Sequence, residues 1–217
     1  MENTKKIIKI DLISIYPYLT IKNLLLILLI TGIYFFISNN SFILFLIPLL
    51  SSMMFSSYPF LVGEDSGIDA LYSIYSIDRR DVVRGRYIFP IILFIACTII
   101  GIILLSIGAI FKGMKVFDGM LEFYISYIFF YLFVISFQYP FYFKYGYKKA
   151  KSFAILPFLV MGILVFASSY NKDLFINLLK FASENVLFTL IGAFLLLFLI
   201  VFISIKLSIK FYKRRDL

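Results

Sequence analysis

Tyr87-Ile-Phe-Pro-Ile-Ile-Leu-Phe-Ile-Ala-Cys-Thr-Ile-Ile-Gly-Ile-Ile-Leu-Leu-Ser-Ile-Gly-Ala-Ile-Phe111 runs for 25 residues without a charged side chain. A helix needs about 20 apolar residues to cross a bilayer, so this stretch spans one. Moving outward, apolar runs bounded by charges give further spans near 21–38 and 42–63 before it, and near 120–143, 153–170 and 186–207 after it. The first is short and draws Lys22 up to the interface. Pro48, Pro59, Pro90, Pro140 and Pro157 fall inside these runs, where neighbouring helices compensate the lost hydrogen bonds. The expected fold is all-α: a polytopic membrane protein with six transmembrane helices, its 217 residues forming one membrane domain.

Composition agrees. The chain is 62% hydrophobic and only 15% charged, far from the balance of a soluble domain. With no histidine, the imidazole base and the usual zinc-protease motif are excluded. Cys97 is the only cysteine and lies within the third span, so there is no disulfide framework and it reads as a packing residue.

Orientation follows from the cations, because Lys and Arg near span ends are retained in the cytoplasm. Seventeen of the 21 lie in the segment up to Lys22, the 64–86 loop, the 144–152 loop and the tail from Lys206. Lys112, Lys115, Lys172 and Lys180 occupy the intervening loops. Both termini are therefore expected in the cytoplasm. The net charge of +9 is a topology signal, and its division among four short segments speaks against nucleic-acid binding.

Three segments outside the spans are patterned as helices. Ile8, Leu12, Ile15 and Leu19 recur at helical spacing with Lys6 opposite, which predicts an N-terminal amphipathic helix lying on the leaflet. Leu174, Phe175 and Leu178 predict a second interfacial helix between spans five and six. The 64–86 loop is the richest. It carries five acidic and four basic residues, and Ile68, Leu71, Tyr72 and Tyr75 share one helical face, apart from Asp65 and Asp69. Asp78 is placed as the N-cap of a second stretch, with Asp81 three residues on, leading through Arg84 into span three. The loop thus reads as a helix-turn-helix elbow, a docking element or a hydrated connection.

Six spans, the acidic Glu64 closing span two, and Ser-Ile-Asp-Arg-Arg-Asp-Val-Val-Arg-Gly-Arg-Tyr from Ser76 to Tyr87 resemble the permease subunits of ABC-2-type ATP-binding cassette exporters. Within these, the chain is similar to the small permeases that include the phenol-soluble modulin exporters of Gram-positive bacteria. The family loop usually reads Leu-Pro-x-(Ser/Thr)-Arg-x-(Asp/Glu)-(Ile/Val)-Val; here Tyr75-Ser76 replaces Leu-Pro and Asp78 takes the hydroxyl position. The resemblance implies a cytoplasmic coupling helix between spans two and three that docks on a separate ATPase. Glu64, Asp65, Asp69, Leu71, Tyr72, Tyr75, Asp78, Arg79, Arg80, Asp81 and Arg84 are its candidate docking residues. It further implies a bacterial plasma membrane setting, two ATPase copies holding ATP and magnesium, a second permease, identical or homologous, and no cofactor on this chain. The N-terminal helix would be the family's connecting helix.

Polar residues inside the spans have two readings. Ser52 and Ser56 share a face of span two, either for close helix packing or along a wet route. The resemblance favours the route, with Phe158, Met161 and Val165 of span five supplying soft apolar contacts, and it implies export of amphipathic peptides or hydrophobic antimicrobials. Cys97, Gly101 and Gly108 read as a packing stripe. Gly146 to Ser152 mimics a phosphate-binding loop, but Ala150 stands where the second glycine belongs and a span precedes it. Asn39-Asn40-Ser41 matches a glycosylation sequon. The rival functions are an accessory or immunity protein that sequesters a ligand, and an intramembrane enzyme. The enzyme is disfavoured by the lack of paired acids within the spans.

Overall fold

A computed structural model of the chain describes residues 2–37, 43–112 and 120–215, and among them every regular element is helical. The order is α1 (Glu2–Ile15), α2 (Ile21–Ile37), α3 (Ile43–Ser66), α4 (Ile68–Ile74), α5 (Arg79–Lys112), α6 (Met120–Tyr145), α7 (Tyr147–Ala150), α8 (Leu156–Tyr170), α9 (Lys172–Glu184) and α10 (Val186–Arg214). Five helical stretches, Ile43–Ser66, Arg79–Phe111, Met120–Tyr145, Tyr147–Tyr170 and Val186–Arg214, are long and apolar enough to cross a membrane. A sixth is counted when α1 and α2, bent by 74° at their junction, are taken together. The protein is an all-α, multi-pass membrane protein. The sequon at 39–41 and Lys115 lie outside the described residues, as do the side chains of Leu174 and Leu178.

The chain divides within α6 into two compact units, residues up to Ile128 and Phe129–Arg215. In the first, α5 is the central element, packed against α3 and α1. At about 1.5 Å per residue its 34 residues extend about 50 Å, more than the hydrocarbon thickness, so its charged first turns stand clear of the apolar stretch. Small residues set the helix approaches. A Cβ built on Gly101 meets Phe45 Cδ2 at 2.6 Å, and one built on Gly85 meets Ile7 Cγ2 at 2.8 Å. The packing stripe expected on this span is therefore used at Gly101. It is used at Gly108 as well, against Leu44 and Phe35. An aromatic group of Phe45, Phe94, Phe123, Tyr124 and Tyr127 fills the space among α3, α5 and the start of α6.

The N-terminal helix forms where the periodicity placed one, but it turns a different face inward. Ile7, Asp11 and Ile15 are buried, Leu12 and Ile13 are exposed, and Ile15 packs on Phe89 and Leu93 with Leu19 beside them. The expected Ile8–Leu12 face yields because Gly85 opens room for Ile7 and Arg86 offers Asp11 a counter-charge.

In the second unit, α10 packs on α6. Ser204 Oγ donates to the Ser136 carbonyl at 2.5 Å, and the Phe143 and Tyr212 rings sit 5.2 Å apart. Gln138 Nε2 donates to the Ala154 carbonyl at 3.0 Å, holding the turn before α8 against α6. The Gly146–Ser152 segment forms the four-residue α7 directly after a helix, entered through Gly146 at φ 78°, a left-handed backbone suited to glycine. The helix expected between the last two spans is α9.

Candidate functional site

The elbow is built from the end of α3, all of α4 and the start of α5. Gly67 at φ 67° lets the chain leave α3 and begin α4 after one residue. Seven residues later α4 ends, and Ser76, a non-glycine residue at φ 52°, turns the chain toward α5. This is where the family loop has Leu-Pro and this sequence has Tyr75-Ser76. Asp78 caps α5 as its position suggested: Oδ1 accepts the Arg80 backbone N–H at 2.9 Å. Asp81 pairs with Arg84 at 3.8 Å.

The residues proposed from sequence for this loop separate into two sets. Leu71, Ile74 and Tyr75 are exposed, Tyr75 to 74%, forming an apolar tip beside exposed Asp65, Asp78, Arg80 and Arg84. Glu64, Arg79 and Asp81 are half-buried. Tyr72 and Asp69 instead turn into the protein, so the single face expected for Leu71, Tyr72 and Tyr75 is split. A short helix spreads consecutive side chains around its axis at 100° steps, and of these three only Tyr72 falls on the inward side, with Asp69.

What receives them is Arg86, a residue outside the proposed docking set. Its side chain is 3% exposed. Nε lies 3.6 Å from Asp11 Oδ1 of α1, and Nη2 lies 3.7 Å from Asp69 Oδ1 of α4. Its guanidinium carbon stands 4.5 Å over the centre of the Phe60 ring of α3. Gly63 completes the pocket, since a Cβ there would meet Nη2 at 2.8 Å. One cation from α5 thus ties the distant α1 to the adjoining α3 and α4. Two carboxylates share a single guanidinium, and Asp11 Oδ2 is buried with no hydrogen-bond partner among the described residues. Burial pushes the Asp11 carboxyl up to about 6, with Arg86 opposing and Asp69 adding to the rise. Burial likewise pushes the Tyr72 hydroxyl to about 12, with Arg86 opposing and the two carboxylates adding to the rise.

A signal for this cluster was present in the sequence. Ile7, Asp11 and Ile15 are spaced four residues apart, and an acid within an otherwise apolar helical stripe calls for a buried counter-charge. Which of the 21 cations supplies it is decided by the fold.

The remaining candidates lie elsewhere. Ser52 and Ser56 are buried in the first unit, each donating to a carbonyl of its own helix, Leu49 at 2.6 Å and Met53 at 2.7 Å. Phe158, Met161 and Val165 are exposed on α8 in the second unit, Phe158 in edge contact with Phe130.

Apolar helices of spanning length, with a charged elbow tied from within, define a polytopic membrane protein. The family described as ABC-2 family transporter protein matches residues 6–213, and the chain belongs to it. Comparison with curated proteins gives no match, and comparison with solved structures gives none. The protein is therefore a permease-type membrane component of an ATP-binding cassette transporter, a class that associates with an ATPase.

Proposed function

We propose that this chain is one half of a dimeric export pathway and that its elbow is the coupling element of a separate ATPase pair. The observation that carries this reading is the division of labour at the elbow. Leu71, Ile74 and Tyr75 are presented outward, while Arg86, Asp11 and Asp69 hold the same segment to α5 and α1 from within. An apolar tip rimmed by charge suits insertion into a groove on a partner, and a buried ion pair resists being pulled apart. Closure of the ATPase pair on ATP and magnesium, which the partner holds, would push the tip. The tie would carry that displacement into α1, α3 and α5, switching the pathway between two states. The chain itself performs no catalysis in this scheme. Both termini and the elbow face the cytoplasm of a bacterial cell, in keeping with the distribution of Lys and Arg.

The cargo we assign is amphipathic peptides or hydrophobic antimicrobials, consistent with the small phenol-soluble modulin permeases that the sequence resembles. Phe158, Met161 and Val165 on α8 offer adaptable apolar contacts with no fixed charge. Ser52 and Ser56 join the route only in a state where the packing of α3 opens.

The test is the double reversal Arg79→Glu, Arg80→Glu. Insertion should persist, because the other basic segments still set orientation, while ATP hydrolysis no longer drives export. Wild-type export by the double variant at equal expression would reduce the elbow to a hydrated connection.

A further inference from the structure

At Arg86 two carboxylates meet one guanidinium, and they are not equivalent. Asp11 Oδ1 lies 3.6 Å from Nε and Asp69 Oδ1 lies 3.7 Å from Nη2, both longer than the about 2.7–2.9 Å of a charge-assisted hydrogen bond. The Asp69 side chain is 14% exposed, whereas those of Asp11 and Arg86 are 2% and 3% exposed. Asp11 is fixed in the 14-residue α1 between buried Ile7 and Ile15. Asp69 rides on the seven-residue α4, whose buried residue is Tyr72. Asp11 Oδ2, buried with no hydrogen-bond partner among the described residues, is the atom at which the pocket can take up a proton.

The groups around Asp11 come from several elements. From α5 comes Arg86, while Arg79, Arg80, Asp81 and Arg84 are exposed or half-buried. From α4 come Asp69 and the hydroxyl of Tyr72, which burial pushes up to about 12 and keeps neutral. The α3 helix presents Phe60 and Gly63 to Arg86, with Glu64 half-buried and Asp65 exposed beyond them. Lys5, Lys6 and Lys9 of α1 itself are exposed, as is Tyr16 in the turn that follows. With both acids ionised the cluster sets two anions on one buried guanidinium, and a proton on Asp11 balances it. Burial, opposed by Arg86 and reinforced by Asp69, raises the Asp11 carboxyl to about 6, where that proton is exchanged.

We propose that Asp11 is a proton-controlled competitor for Arg86 that sets how firmly the elbow helix α4 is held. With a proton on Asp11 Oδ2, Arg86 is left to Asp69, and α4 is anchored through both Asp69 and Tyr72. With Asp11 ionised, the deeper carboxylate takes the larger share of the guanidinium. Asp69 then turns toward the water that already reaches it, and Tyr72 remains as the anchor of α4. The sign follows from the raised carboxyl. The held arrangement binds the proton more tightly, so it is favoured below pH 6 and loses share as pH rises through 6. A difference of about one unit in the Asp11 pKa between the two arrangements changes their ratio about tenfold. The inference concerns the Arg86 cluster and is independent of the ATPase and the cargo.

A nitroxide at position 73, exposed on α4, tests it. In the full-length Cys97→Ala, Ser73→Cys protein reconstituted in bilayers, the ratio of mobile to immobilised label should rise on the order of tenfold between about pH 5 and 7.5, with its midpoint about pH 6. Adding Asp11→Asn, which copies the protonated carboxyl, should keep the label immobilised across that range. Adding Asp69→Asn should leave it mobile throughout, because α4 then has no charge to offer Arg86. A spectrum of the parent protein without a pH step would overturn the proposal, as would a step that survives in Asp11→Asn. Should Asp11→Asn not insert, infrared spectra of protein labelled with carbon-13 aspartate decide the question. The carboxylic-acid band should fade over the same pH interval in which the label gains mobility, and a label step without that fading would overturn the proposal.

Discussion

The elbow of the first unit and the basic end of the second use charge in opposite ways. At the elbow, Arg86 is buried, shared by carboxylates of α1 and α4 and stacked on Phe60. On α10, Lys206, Lys210 and Lys213 stand outward, in a unit whose acids lie at α9. A buried cation cannot be hydrated, so losing any partner is costly and the three elements move as one. An exposed cation is solvated and screened, so it contributes little to folding. The same residue chemistry thus serves as a buried tie in one unit and as a hydrated span end in the other.

This contrast breaks most visibly at Arg86. Arg86→Met should leave Asp11 and Asp69 buried without their cation and destabilise the first unit by about 3–5 kcal/mol. Hydrogen exchange should then rise in α1 and α4 while α10 keeps its protection. Unchanged exchange in α1 would mean that the cluster ties nothing.

A smaller effect is expected from pH. The folded Asp11 carboxyl lies near 6, above its ordinary value of 3.8, because of burial. Between about pH 4 and 6 the folded state holds a proton that the unfolded chain has released. Stability from this group is therefore fully present below pH 4 and is lost as pH rises to 6, by on the order of 2 kcal/mol. Asp11→Asn should flatten that slope in thermal unfolding, and an unaltered slope would assign it to another group.

In the second unit, Ser204→Ala removes the 2.5 Å bond to the Ser136 carbonyl and should cost about 0.6 kcal/mol, an ordinary value for a hydrogen bond between spanning helices. Lys210→Gln should change unfolding by less than about 0.5 kcal/mol, as for other exposed substitutions. A large loss at Lys210 would show that this exposed lysine is structural and erase the contrast between the two units.

How far the sequence foretold this arrangement depends on the range of the interaction. The five long spanning helices, α9 and the Asp78 cap are set by local hydropathy, periodicity and capping chemistry, and each lies close to where those patterns put it. The inward face of α1 was not legible from α1 alone, because its apolar residues wrap around more than one side. The choice of Ile7 over Ile8 was made by Gly85, nearly 80 positions away. Tyr72 shared a predicted face with Leu71 and Tyr75, and Asp69 stood apart from it, because a seven-residue helix gives periodicity too little length to separate inside from outside. What distinguished them was Arg86, again a partner beyond the window. Long-range charge pairing needed the fold to be seen, even though the odd acid in the apolar stripe of α1 pointed toward it.

In the proposed scheme the exposed tip of the elbow contacts an ATPase. Placing a photo-crosslinking amino acid at Tyr75 in the full-length protein, in its native membrane, tests this most directly. The expected product is an adduct whose added mass and peptides are those of an ATP-binding cassette ATPase, with no such adduct from the same group at the inward-facing Tyr72. An intact, correctly inserted protein that yields no ATPase adduct from position 75 would contradict it.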